Sequence, residues 1–335
     1  MILPLLLLPT LGRLTPTASA PSMESAAGEV DGLWPDFQYN YLDFKLFPDD
    51  FMGIPGAGNN GQYGRYVTDQ ISIAALALQL DYSNAQKETL AINFIQRGID
   101  MFSIVTSGKI KSWYHNGGWN AGRKALILLS GIMLNDESMK NIGVKSGDYA
   151  LTAPLGSPPN DFIYFQEDDT TFYVTQTVID ETVQCGDIGN INDCVLDEAK
   201  QYTSVHLGMP EWAIRWADEQ FTGNVSWLAS YRRTSTAIAW NGFVLAALVM
   251  DAKTLWNHHA LFDYMDRYWA LSHSLDDGWS VPEEATAPDW VASGFGAEMW
   301  DTYRADYPMP PYGAPGLSHR IPGTGSLILG TGSFQ

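Results

Sequence analysis

The stretch from about Thr234 to Asp251 most limits what this chain can become. Ile238, Trp240, Phe243, Val244, Leu245, Leu248 and Val249 make it apolar nearly all round a helical wheel. Such a helix has no face to offer water, so it predicts an inner helix with other elements packed about it. The sequence supplies them. Ile71, Ala74, Ala75, Leu78 and Leu80 form one helical face from Tyr66 onward, ending at Asp81-Tyr82-Ser83-Asn84. A second helix is expected over about 85–105, with Leu90, Ile92, Phe94, Ile95, Ile99, Met101 and Phe102 at helical spacing. Two helices joined by so short a turn make an antiparallel hairpin. A third helix follows over Ala125 to Leu134, with Asn120 placed to cap its start. Further helices are expected from Pro210, a favourable first-turn proline, over about 261–269, and over about 295–305.

Between Asn135 and Thr203 the helical period vanishes. Phe162-Ile163-Tyr164-Phe165 and Thr171-Phe172-Tyr173-Val174-Thr175 are β-branched and aromatic, and flank the acidic Gln166-Glu167-Asp168-Asp169. This predicts a short β-hairpin in an insertion over about 136–203. Residues 28–65 read as an irregular arm and 308–335 as an irregular tail. Residues 1–27 have the apolar run and small residues of a leader (Met1-Ile-Leu-Pro-Leu-Leu-Leu-Leu-Pro, then Ala18-Ser19-Ala20), which predicts export. In an exported protein Cys185 and Cys194 would close a small loop worth roughly 2–3 kcal/mol, and Asn224-Val225-Ser226 is an acceptor triplet for glycosylation. Residues 28–335 read as a single domain. The fold class expected is mainly α: an (α/α) toroid, complete or partial, with a short β-hairpin inserted. About seven or eight helices are expected, fewer than the six or seven pairs of a full ring.

Charge narrows the function. With 38 acidic and 19 basic residues the formal charge is −19. Phosphate backbones would be repelled over the whole surface, so no nucleic acid partner is expected. A polyanion would need a local cluster of cations or helix N-termini, with the remaining repulsion softened by salt. Phe243 to Met250 is too short to cross a bilayer, so no membrane span is expected. The 12 Trp and 16 Tyr suit stacking against sugar rings as well as core packing. Two thiols without clustered histidines make a poor zinc site, and no metal or cofactor is expected.

Four polar groupings can carry chemistry. In Trp113-Tyr114-His115-Asn116-Gly117-Gly118-Trp119-Asn120-Ala121-Gly122-Arg123-Lys124, paired glycines allow a sharp turn that brings main-chain N–H groups to a ligand, and Arg123 at a helix N-terminus favours an anion. The second is Gln166-Glu167-Asp168-Asp169, equally compatible with a solvated acidic turn. The third joins Tyr202 and His206 to Glu211. The fourth is Asn257-His258-His259 with Tyr264 and Arg267. Asp263 and Arg267, at i and i+4, predict a salt bridge. Carboxylates such as Glu167 with Asp169 or Glu211 would suit glycoside hydrolysis. Asn, His, Tyr and Arg together would suit β-elimination from a uronic acid.

The order of these blocks, from Asn116-Gly117-Gly118-Trp119-Asn120-Ala121-Gly122-Arg123-Lys124 through Gln166-Glu167-Asp168-Asp169-Thr170-Thr171-Phe172-Tyr173-Val174-Thr175 and His206-Leu207-Gly208-Met209-Pro210-Glu211-Trp212 to Trp256-Asn257-His258 and Phe262-Asp263-Tyr264-Met265-Asp266-Arg267, resembles the (α/α)-barrel polysaccharide lyases. The nearest is polysaccharide lyase family thirty-eight, which acts on alginate and glucuronan. The resemblance covers about Tyr66 to Trp269. It implies an α/α toroid with a tunnel or cleft and metal-independent elimination on an acidic polysaccharide. It also implies that Asn116 and Glu167 meet the uronate carboxylate, with Asn120 and Glu198 as alternatives to each. His206 and Tyr264 would be the proton-transfer pair, their roles unassigned. His115, Trp119, Asn120, Arg123, His258 and Arg267 would contact the sugar. A glycoside hydrolase and a non-catalytic carbohydrate-binding protein are the rival expectations.

Overall fold

The computed structural model describes residues 11–32, 65–106, 121–145, 163, 165–177, 179–180, 203–212, 237–272 and 294–308. Within them the chain is mainly helical, with one two-stranded antiparallel sheet. The elements are α1 (Met23–Gly32), α2 (Arg65–Ala77), α3 (Asn84–Thr106), α4 (Arg123–Leu134), α5 (Glu137–Lys140), α6 (Gln166–Thr170), β1 (Thr171–Tyr173), β2 (Pro210–Trp212), α7 (Asn241–Val249), α8 (Lys253–Trp256), α9 (His259–Ser272) and α10 (Gly294–Tyr303). Short 3-10 turns occupy Asn141–Lys145, Ser204–His206, Ala237–Ala239 and Arg304–Asp306.

The apolar stretch is the inner helix its composition demands. Every residue of α7 from Asn241 to Ala247 is buried, and α2, α4, α9 and α10 all pack on it. Its approach to α2 is close enough to need Gly242, where an added Cβ would lie 2.8 Å from the carbonyl oxygen of Ser72. The Ser72 hydroxyl joins the two helices, donating to Ala239 O and accepting from Phe243 N at 3.2 Å. Phe243 stacks on Trp256 with centroids 5.7 Å apart, and Phe262 meets Trp256 edge-on at 5.7 Å. α2 and α3 form on either side of the expected turn, α1 packs against both, and α4 packs on α3.

Four expectations are corrected. Part of the segment read as an irregular arm is α1, because Ser22 Oγ accepts from Ser25 N at its start and Ala26, Ala27 and Val30 bury against α2 and α3. The strand that pairs with 171–173 among the described residues is β2, and the expected partner over 162–165 lies partly outside them. β1 pairs with β2 (Thr171 with Trp212, Phe172 with Glu211, Tyr173 with Pro210), and the acidic residues before β1 form the short helix α6. Pro210 therefore opens a strand rather than a helix, a position where its missing N–H costs no ladder bond. The helical character of the 136–203 segment is also greater than its period suggested, since α5, the 3-10 turn over Asn141–Lys145 and α6 lie in it.

The chain from Leu11 is packed into the body. Leu11 and Leu14 are buried, Leu14 N donates to Gln79 O at 2.9 Å, and Asp81 N donates to Leu14 O at 2.8 Å. Cleavage at Ala20 would strip those two leucines from the core. No helix among the described residues is long and apolar enough to cross a membrane.

Candidate functional site

The N-terminus of α4 is the best-furnished polar site among the described residues. Gly122 precedes it at φ +88°, left-handed geometry that a side chain resists, and this turns the Gly122 N–H onto Glu167 Oε2 at 3.2 Å. Asn120, expected as the cap, lies outside the described residues; the cap position is Gly122, without a side-chain bond. α4 then begins with Arg123 and Lys124, two cations at the positive end of a helix, a placement that needs anions nearby. α6 supplies them. Both Glu167 and Asp168 are buried, so the acidic segment is no solvated turn.

The two cations are handled differently. Lys124 is fully satisfied: its ammonium binds Asp168 Oδ2 and Trp256 O, and lies 5.2 Å from the Trp256 ring centroid and 5.8 Å from that of Phe165. Trp256 Nε1 donates to the other Asp168 oxygen at 2.8 Å. This is a closed clamp tying α4, α6 and α8 together. Arg123 is not closed. Its Nη1 donates to Ala121 O, while Nε and Nη2 are buried without a hydrogen-bond partner, as is Glu167 Oε1. Burial pushes the Arg123 guanidinium down to about 9, against the pull of Glu167, so it stays charged at neutral pH. Burial, and then the neighbouring negative Asp168, push the Glu167 carboxyl up to about 7, against Lys124 and the Gly122 N–H. Below that pH, Glu167 is a neutral acid beside a cation whose donors are unsatisfied. The pair carries one net positive charge and is complementary to a carboxylate.

β1 leads from this pair to a second cluster. Thr171 Oγ1 donates to Glu167 O at 2.6 Å, and His258 Nε2 lies 2.8 Å from Thr171 Oγ1 and 3.0 Å from Thr171 O. Because the hydroxyl proton points to Glu167 O, both atoms facing His258 are acceptors and Nε2 carries the ring proton. His258, expected against the sugar, is buried and braces Thr171. Two residues on, the Tyr173 hydroxyl donates to Asp263 Oδ2, and Lys253 Nζ reaches Asp263 Oδ1 at 3.4 Å. Arg267 pairs with buried Glu211 at 3.0 Å. The expected Asp263–Arg267 salt bridge is thus replaced, each residue taking a partner from another element.

The proton-transfer residues implied by resemblance are placed unequally. His206 is half-buried, and its Nδ1 accepts from Thr203 N at 2.9 Å, closing a capping box on the 3-10 turn. Partial burial holds its imidazole below the ordinary value, with Glu211 opposing and Arg267 adding to the shift. Tyr264 is fully buried, edge-on to Trp240 at 6.4 Å and beside Tyr268 at 6.1 Å. His115, Asn116, Trp119, Asn120, Tyr202 and Glu198, with Cys185, Cys194 and Asn224, lie outside the described residues. Of the candidate residues, Arg123, Glu167 and His258 share one neighbourhood, and His206 and Arg267 share another across β1–β2. The sequence offered no local sign of the Lys124–Asp168 clamp or of the Tyr173–Asp263–Lys253 chain, whose members lie on different elements. Among the described residues no three His, Cys, Asp or Glu side chains cluster as a metal site. No family model, no curated protein and no solved structure matches this chain.

Proposed function

We propose that this protein is an exported polysaccharide lyase that cleaves a uronic-acid polymer of alginate or glucuronan type by β-elimination, on helices arranged as a complete or partial (α/α) toroid. The observation that carries the reading is the buried Arg123–Glu167 pair, with unsatisfied donors on one member and a carboxyl raised to about 7 on the other. In β-elimination the carbon beside the carboxylate must give up a proton, and that carbon becomes acidic only when the carboxylate charge is neutralised. A guanidinium and a protonated carboxyl both donate to such a group. The N-terminus of α4 adds its dipole, a local attraction that a chain of net charge −19 needs for an anionic polymer. In the sequence the glycine pair at 117–118 stands shortly before Gly122, whose N–H donates to Glu167.

One observation favours a second reading. A buried carboxyl raised towards 7 is also what a glycoside hydrolase uses as its general acid. The natural second carboxylate, Glu211, is instead held by Arg267, which weighs for elimination. Incubation with alginate and with glucuronan separates the two. Elimination yields ultraviolet absorbance from a C4–C5 double bond in step with new chain ends; new reducing ends without that absorbance would establish hydrolysis. Binding with neither product would establish a carbohydrate-binding protein.

A further inference from the structure

We propose that His206 is a pH-sensitive latch on the turn over 203–209, which leads into β2 and displays Val205 and Leu207. With a neutral ring the latch holds Thr203 and the turn is closed; with a charged ring it releases Thr203 and the turn loosens. The capping box over Thr203 to His206 has histidine at the position where such boxes ordinarily carry Glu or Gln. A glutamate or glutamine there accepts a hydrogen bond throughout the neutral range. A histidine accepts only while one ring nitrogen keeps its lone pair. Here that nitrogen is Nδ1. It accepts from Thr203 N at 2.9 Å and lies 3.2 Å from Thr203 Oγ1, so the neutral ring carries its proton on Nε2. The main chain completes the turn, with His206 N donating to Thr203 O at 2.9 Å and Met209 N to His206 O at 2.9 Å. Gly208, at φ +82°, passes the chain to the sheet: its N–H donates to Val174 O at 2.8 Å, and Val174 N donates to Met209 O at 2.9 Å. On this frame Val205 is 84% and Leu207 43% exposed, the two most exposed large apolar side chains among the described residues.

A proton added to Nδ1 removes that lone pair. Thr203 N–H then points at another N–H, and a hydrogen bond becomes a contact between two donors. The charged groups that act on the ring come from two other elements, Glu211 on β2 and Arg267 on α9. Partial burial is the largest influence and disfavours the imidazolium; Glu211 opposes it and Arg267 adds to it, so the closed turn holds His206 below the ordinary histidine value. A group held lower in the closed state than in the open one stabilises closure above its ordinary value and loses that contribution as the pH falls. The latch is therefore shut at neutral pH and opens on acidification.

The test follows the Thr203 amide of the full chain by NMR-detected exchange with water, corrected for the intrinsic pH dependence of exchange, at about pH 8 and about pH 5. The wild type is expected to lose Thr203 protection by about tenfold at the lower pH, the effect of one hydrogen bond of ordinary net strength. The His206 Nδ1 nitrogen signal should change over the same range, a readout that needs no variant. His206→Gln keeps an acceptor that does not titrate and should hold the protection within about twofold between the two conditions. His206→Ala has no acceptor and should show the low protection already at about pH 8. The proposal is overturned if wild-type protection stays within about twofold, if His206→Gln loses as much as the wild type, or if His206→Ala keeps the wild-type protection. None of these outcomes depends on whether the chain cuts a polysaccharide, so failure of the latch and failure of the lyase reading are separate results.

Discussion

Lys124→Met should cost about 3–5 kcal/mol of folding stability, the penalty for leaving one member of a buried ion pair behind. Both residues are essentially inaccessible, with side-chain exposures of 0% and 2%. Methionine keeps much of the apolar stem but removes the ammonium that binds Asp168 and the Trp256 carbonyl. Asp168 is then left as a buried carboxylate with the Trp256 indole N–H. Adding Asp168→Asn to the same chain should recover part of the loss by removing the orphaned charge, a coupling that a double-mutant cycle measures. Lys140→Ala is the control. Its partner Glu137 is 73% exposed, so the change should stay below about 1 kcal/mol. Denaturant midpoints at constant slope give both numbers. Equal costs for the two lysines would show that the clamp does not hold α4 against α6 and α8. Because Arg123 and Glu167 are the chain neighbours of the clamp residues, its geometry sets theirs.

Arg123→Met should reduce elimination by about 10²–10³-fold, the range for losing one donor that stabilises developing negative charge. Glu167 should write its state into the pH profile. As its carboxyl loses the proton through about 7 it turns from donor to anion, so turnover falls as pH rises through that region. Glu167→Gln keeps a neutral donor and should flatten that limb. Stability follows the same sign. A carboxyl raised above its unfolded value binds protons more tightly in the folded chain, so its contribution is present below about 4.5 and is lost as pH rises through about 7. The melting temperature of the wild type relative to Glu167→Gln should therefore fall between pH 5 and 8. An unchanged difference across that range would mean that Glu167 titrates normally.

The helices were legible because burial on one face, or on all faces, is written into nearby residues. The helix expected over about 85–105 is Asn84–Thr106, and the all-round apolar stretch is the inner helix. The β1–β2 pairing was not legible. Pro210 fits the first position of a helix as well as of a strand, and what decides between them is Tyr173, far away in the sequence. Ion pairs failed for the same reason. Asp263 and Arg267 are well spaced for each other on α9, but Lys253, Tyr173 and Glu211 approach from other elements and win. The acidic run at 166–169 looks solvated because nothing beside it in the chain reveals Lys124. Of the site, the place of Arg123 at the start of a buried helix was readable from the sequence; the raised Glu167 carboxyl was not, since it comes from burial and from Asp168.

The most direct measurement is the Glu167 side-chain carboxyl signal, followed by NMR as pH is varied, with and without a short oligouronate. The account predicts a midpoint near 7 in the free protein and a clear upward move when the oligouronate is present, because a bound carboxylate next to Arg123 favours the protonated acid. A midpoint in the ordinary carboxylate range that the oligouronate leaves in place would contradict it.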